Sequence, residues 1–313
     1  MSTAASSHAL PGQVTPSRVQ DLISRGIHHR RGPVRKATRL LMAVAHAIHC
    51  RCDTAERRAL APPVLANSVP KSGTHLLDQV VAALPHRRCY GTFLESMTAS
   101  YVFRERTDAS TVAFIEKLVS GEVVRAHLHH STPAQGALAE QNVVHYFIYR
   151  DPRDVVVSEA HYLRSMNLWH KLHPYFKRLP TFTDAVSLAI RGLQPGEADL
   201  EYPDIARRYR RFLPWLHSPA VCAVRFEELV SPRRRGAIER IVRFYADRCG
   251  EPFDIEEVVD TAEARIAPSR SHTYRAGKTG GWGGVFTDEH KQSFKSLSGG
   301  LLGELGYESS ADW

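Results

Sequence analysis

The chain has no apolar run approaching the ~18 residues that a bilayer-spanning helix requires. Its best candidate, Leu40–Ile48, is broken by His46 and starts too far along for an ordinary signal peptide. Cysteine is sparse: five in 313 residues, odd in number and scattered, which excludes a disulfide framework and favours a reducing, cytoplasmic setting. His46-x-x-His49-Cys50-x-Cys52 has the look of a metal cluster, but no second ligand pair follows at finger spacing. Acidic residues are outnumbered, 33 against 41 basic ones, leaving a net charge of +8. That sign favours an anionic partner without choosing among nucleotide, nucleic acid and membrane. A Walker A loop is also missing, because Lys71 precedes the only glycine of its turn; ATPase, GTPase and nucleotide-kinase readings are disfavoured. With 43% hydrophobic and 24% charged residues, the chain is not disordered throughout.

Residues 1–16 are small and polar and are expected to be disordered. From Val19 to Arg58 the pattern is helical and basic, interrupted by Gly26 and Gly32-Pro33. The Ala61-Pro62-Pro63 step separates this N-terminal segment, 1–60, from a globular domain, 61–313. Arg30, Arg31, Arg35, Lys36 and Arg39 precede the Leu40–Ile48 stretch. Peripheral membrane contact through this segment competes with the favoured reading, a helix packed on the domain.

Four short apolar runs, Val64–Val69, Glu122–Ala126, Val143–Tyr149 and Ala220–Phe226, read as buried strands. Helical patterns lie at Thr111–Val119, Pro152–Arg164, Asp204–Leu216 and Pro232–Cys249. Near-continuous Val/Ile/Phe strands alternating with helices predict an α/β fold, a parallel sheet covered by helices on both faces. Ligands of such sheets bind beyond the carboxyl ends of the strands. Pro70–Thr74, His127–His130 and Arg150–Asp154 each follow a predicted strand, so the topology itself predicts that they converge.

The Pro70-Lys71-Ser72-Gly73-Thr74 turn leads from strand to helix and has the make-up of an anion site. Unpaired N–H groups and the helix dipole favour negative charge there, Gly73 admits close approach, and Lys71, Ser72 and Thr74 add donors. In Arg150-Asp151-Pro152-Arg153-Asp154, Pro152 suits an early helical position and Asp151 an N-cap. Ser158, two turns on, can share an anion with Arg150. A late glycine-rich stretch, Arg275–Thr287, places Trp282 among five glycines.

Tyr149–Ser158 resembles the 3′-phosphate signature of the sulfotransferases that use 3′-phosphoadenosine-5′-phosphosulfate (PAPS). Pro70–Thr74 is similar to that family's 5′-phosphosulfate loop, and Arg275–Thr287 to its late R-K-G-x-x-G-D-W loop. Glu304–Glu308 looks like its ending, so the resemblance runs from about Ala61 to the C-terminus. It implies a P-loop-like sulfotransferase fold and transfer of a sulfuryl group from PAPS, without a metal, to a hydroxyl, less readily an amine, of a small-molecule, glycan or lipid acceptor. Lys71 is implied at the leaving oxygen, with Ser72, Gly73, Thr74 and His75 around the 5′-phosphate. Arg150, Ser158, Arg275, Ala276 and Gly277 are implied at the 3′-phosphate side and Phe226 on the adenine side. His127, in Val124-Arg125-Ala126-His127-Leu128, aligns with the family's base; Glu95, His129 and His130 are alternatives. Departures fall on the nucleoside side: Leu76 stands for a stacking Trp, Phe226 for a Tyr, Ala276 for a Lys and Gly281 for an Asp.

The aromatic and basic region from Tyr162 to Pro203 (Trp169, His170, His173, Tyr175, Phe176) is the expected acceptor wall. The competing reading, a basic nucleic-acid- or membrane-binding protein on a degenerate scaffold, rests on Arg30–Arg39, Arg207–Arg211 and Arg233–Arg235. None of these runs carries a nucleic-acid motif, so nucleic acid is disfavoured.

Overall fold

The computed structural model describes residues 18–27, 32–99, 103–194, 196–197, 199–266, 279–310 and 312–313. Its centre is a parallel sheet of β2 (Phe93–Glu95), β5 (Val123–His127), β1 (Val64–Ser68), β6 (Val144–Tyr149) and β7 (Val221–Arg225), in that spatial order. A small antiparallel pair, β3 (Met97–Thr98) and β4 (Arg104–Glu105), lies outside it. Every residue of β1 and β6 is buried, as expected of central strands covered on both faces. Alternate residues feed two cores: Val64, Ala66, Tyr146 and Ile148 on one face, Leu65, Phe147 and Tyr149 on the other. Helices Thr74–Val81, Arg234–Ala246 and Ile255–Arg265 cover the first face, and Pro152–His161, Phe182–Arg191 and Asp288–Ser298 the second.

The four anticipated strands are present. Edge strand β2 and the β3–β4 pair are too short to show a period. The segment expected as helix Pro152–Arg164 ends its α-helical part at His161 and continues as a π turn over Tyr162–Met166. The one expected over Asp204–Leu216 divides into Ile205–Arg210 and Leu213–Leu216, with Pro214 in the first turn of the second piece. Gly26 does not interrupt a helix. It sits inside Arg18–Ile27, where a Cβ would come within 2.8 Å of Thr38 Oγ1, so it lets the helix Gly32–Cys52 approach closely.

Several arginines of the two later basic runs are paired with acidic or carbonyl groups. Arg208 is hydrogen-bonded to Glu159, Ala189 O and Pro203 O, Arg211 pairs with Glu201, and Arg234 and Arg235 meet Glu256, Asp260 and Glu263. Among the described residues no helix is long and apolar enough to cross a membrane, and no group of three or more His, Cys, Asp or Glu is placed to hold a metal.

Candidate active site

The carboxyl end of β1 is built from polar residues that the fold buries completely. Asn67 accepts the Leu128 N–H at 2.8 Å and donates to the Leu128 carbonyl at 3.0 Å, tying β1 to the chain leaving β5. The Ser68 hydroxyl meets Thr74 Oγ1 at 2.7 Å. Between them the loop turns through two left-handed residues, Lys71 at φ 69° and Gly73 at φ 102°. Gly73 is required twice over: for that φ, and because a Cβ would lie 2.6 Å from the Phe226 ring. Lys71, carrying a side chain, holds an uncommon conformation that costs free energy, and such strain collects at functional sites. Gly73 opens the helix Thr74–Val81 without any side-chain cap.

Lys71 extends to Tyr162, its Nζ 4.0 Å from the ring centre. The π turn carries Tyr162 to that position, an irregularity that recurs where a helix borders a site. Burial lowers the Lys71 pKa to about 8; Glu159 opposes the shift and Arg150 adds to it. Ser72 is fully buried, and its hydroxyl makes no hydrogen bond of regular geometry, although Tyr209 is close enough to feel it.

The second element grows from β6. Asp151 caps the helix Pro152–His161 by accepting the Arg153 N–H, and it also holds the Arg153 guanidinium. Arg153 is thereby structural: it pairs with Glu308 at 2.6 Å and packs on Trp282 and Trp313. Arg150 instead lines the cavity, 3.4 Å from Asp154 and with its guanidinium 4.5 Å from the Phe226 ring centre. Asp154 accepts the N–H groups of Gly280 at 2.9 Å and Trp282 at 3.0 Å. This clasp holds the end of the glycine-rich loop against the strand-end arginine. Arg275, Ala276 and Gly277 lie outside the described residues.

His127 ends β5 and is paired in register with Glu95 of β2. Its Nδ1 lies 3.0 Å from the Ser68 carbonyl oxygen. A carbonyl only accepts, so Nδ1 carries the proton and Nε2 is left as a base. Burial lowers its pKa to about 4, the Ser68 contact opposing and Lys71 and Arg125 assisting, so it is neutral at pH 7. Glu95 has its carboxyl raised by burial, with Arg106 opposing. His129 also faces the cavity, lowered to about 4 chiefly by burial, whereas His130 turns away to Gln135 and Trp215.

One cavity of about 650 Å³ gathers Lys71, Gly73, Thr74, His75, Glu95, His127, Arg150, Ser158 and Phe226. It is also lined by the apolar and aromatic residues Phe103, Tyr162, Leu172, Tyr202, Ile205 and Phe212. Of the five residues named in the middle of the Tyr162–Pro203 region, His170 lines the cavity. Trp169 is 70% exposed, and His173 and Phe176 are packed into the interior. Tyr162, Tyr202 and Pro203, at the two ends of that same region, also line the cavity, joined by Ile205 and by Arg208, whose half-buried pairing with Glu159 at 2.9 Å crosses between two helices. Nothing in the local sequence marks Arg208 as different from the arginines beside it.

A model of the sulfotransferase domain matches residues 61–306. Among solved structures, mouse sulfotransferase SULT7A1 complexed with PAP is similar at a TM-score of 0.52 and 17% identity, covering 80% of this chain and 86% of that one. Retinol dehydratase in complex with androsterone and the inactive cofactor PAP is similar at 0.50 and 15% identity, covering 77% and 80%. No curated protein matches the chain. The parallel sheet with its strand-end phosphate-type loop is the fold of those structures, and by the extent of the domain match the chain belongs to the sulfotransferase family.

Proposed function

We propose that this protein transfers the sulfuryl group of PAPS to the hydroxyl of a small, largely apolar acceptor. The observation that carries this reading is the convergence, on one cavity, of a buried lysine in a strained strand-end loop, a strand-end arginine and a neutral histidine with a free Nε2. The residues fit the donor: Lys71, Gly73 and Thr74 line the cavity where the uncapped helix Thr74–Val81 begins, and Arg150, also lining it, is held by Asp154. PAPS supplies an activated sulfuryl group on a phosphate leaving group.

Lys71, Ser72, Thr74 and the N–H groups opening the helix Thr74–Val81 would hold the 5′-phosphate. Arg150 and Ser158 would hold the 3′-phosphate, with Asp154 fixing both Arg150 and the loop end beside it. Phe226 would face the nucleoside. His127 Nε2 takes the acceptor proton as the new O–S bond forms. Lys71 neutralises the phosphate oxygen released as the old S–O bond breaks, leaving adenosine 3′,5′-bisphosphate. The aromatic wall excludes water from the nucleophile's path and suits an apolar body bearing the hydroxyl.

Calorimetric titration with adenosine 3′,5′-bisphosphate beside AMP tests the donor assignment. Micromolar binding of the bisphosphate, with AMP weaker by about two orders of magnitude, is expected. Equal binding of the two nucleotides refutes the 3′-phosphate site.

A further inference from the structure

The helix Gly32–Cys52 is amphipathic in the reverse of the usual sense. Its docked side is polar: His46 Nε2 meets the buried Glu122 carboxylate at 2.9 Å, His49 is hydrogen-bonded to Tyr90, and Cys50 contacts the Lys117 carbonyl. Its outward side carries Leu40, Leu41, Val44 and Ile48, which are 70%, 67%, 57% and 53% exposed. At 100° per residue, Leu40, Val44 and Ile48 form one stripe, with Leu41 on its edge. A surface helix ordinarily turns such a stripe inward. Exposed cations lie at its two ends, Lys36 one turn before Leu40 and Arg51 just after Ile48. The helix contains no Asp or Glu at all.

We propose that this face docks on the surface of an anionic lipid bilayer, the stripe entering the acyl boundary and the cations at its ends meeting the headgroups. The charge pattern selects this occupant. A second copy seated face to face would bring two carboxylate-free, cationic helices together, whereas anionic lipid complements them. The stripe lies on the opposite side of the helix from its contacts with the domain, so docking requires no unfolding.

The experiment is co-sedimentation of the full chain with vesicles of phosphatidylcholine containing about one quarter phosphatidylserine, beside phosphatidylcholine alone. Partitioning about tenfold stronger onto the anionic vesicles is expected. The double variant Val44→Ser/Ile48→Ser and the single variant Lys36→Glu should each lose about tenfold of it. Both should bind adenosine 3′,5′-bisphosphate like the parent, which shows that the fold is intact and keeps this test separate from that of the donor site. Absence of vesicle binding, or binding that ignores the Val44/Ile48 change, overturns the proposal. A dimer in light scattering that Val44→Ser/Ile48→Ser dissociates, without vesicle binding, assigns the face to a second copy instead.

Discussion

Lys71 offers the sharpest quantitative consequence of the site. Its ammonium is buried beside Arg150 and against the Tyr162 ring, which lowers its pKa to about 8. An anion in the loop needs that charge, so binding of adenosine 3′,5′-bisphosphate should weaken as pH rises through 8. If only the protonated lysine binds, about nine molecules in ten are competent at pH 7 and about one in ten at pH 9. The dissociation constant should therefore rise about tenfold between those pH values, a loss of about 1.4 kcal/mol. Around pH 8 binding should also take up about half a proton, visible as a dependence of the calorimetric enthalpy on the buffer. Arginine stays charged throughout, so Lys71→Arg, whatever its affinity at pH 7, should show no such slope. The cavity histidines His127, His129 and His170 titrate near 4 and cannot supply it. A flat profile in the parent, or the same slope in Lys71→Arg, would refute the reasoning.

His127→Ala should lower kcat by about a hundredfold or more while the bisphosphate dissociation constant stays within about twofold, measured by product formation and calorimetry; unchanged kcat would move the base to Glu95 or His129. Gly73→Ala should cost about 1–3 kcal/mol in urea melts, since the left-handed φ and the Phe226 contact both oppose a Cβ; adding Phe226→Ala should recover only the steric part, and full recovery would show that the φ is not strained. Asp154→Ala should weaken bisphosphate binding by about tenfold through loss of the Gly280 and Trp282 clasp, and affinity equal to the parent's would show that the loop end is held by other means. Acid should destabilise the fold from pH 6.5 downward. His145, 3% exposed and lowered to about 3 by burial, binds its proton in the unfolded chain first, and His127, His129 and His170 act in the same direction. His46, raised by Glu122, opposes them, so a urea midpoint that holds or rises from pH 7 to pH 5 would show that the histidines are not the controlling groups.

The order of strands and helices was legible because each central strand is covered on both faces, and a short all-apolar run records that condition locally. The loop at Pro70–Thr74 and the Arg150–Ser158 segment were legible for the same kind of reason: their chemistry lies within a few consecutive residues. Their convergence followed from the rule that a parallel sheet gathers its loops at one edge. Other features depend on residues far apart in the chain and leave no period to read. The Ser68 carbonyl determines which nitrogen of His127 carries the proton, and Asp154 draws in Gly280 and Trp282. Glu159 takes one arginine out of a run of similar arginines, and a π turn aims Tyr162 at Lys71 while Phe176, expected nearby, enters the core. The amino-acid order by itself determined the family and the sheet, because these rest on local pattern. Protonation, clasp and cavity lining were decided only by the tertiary structure, because burial and long-range pairing exist only once the chain has closed on itself.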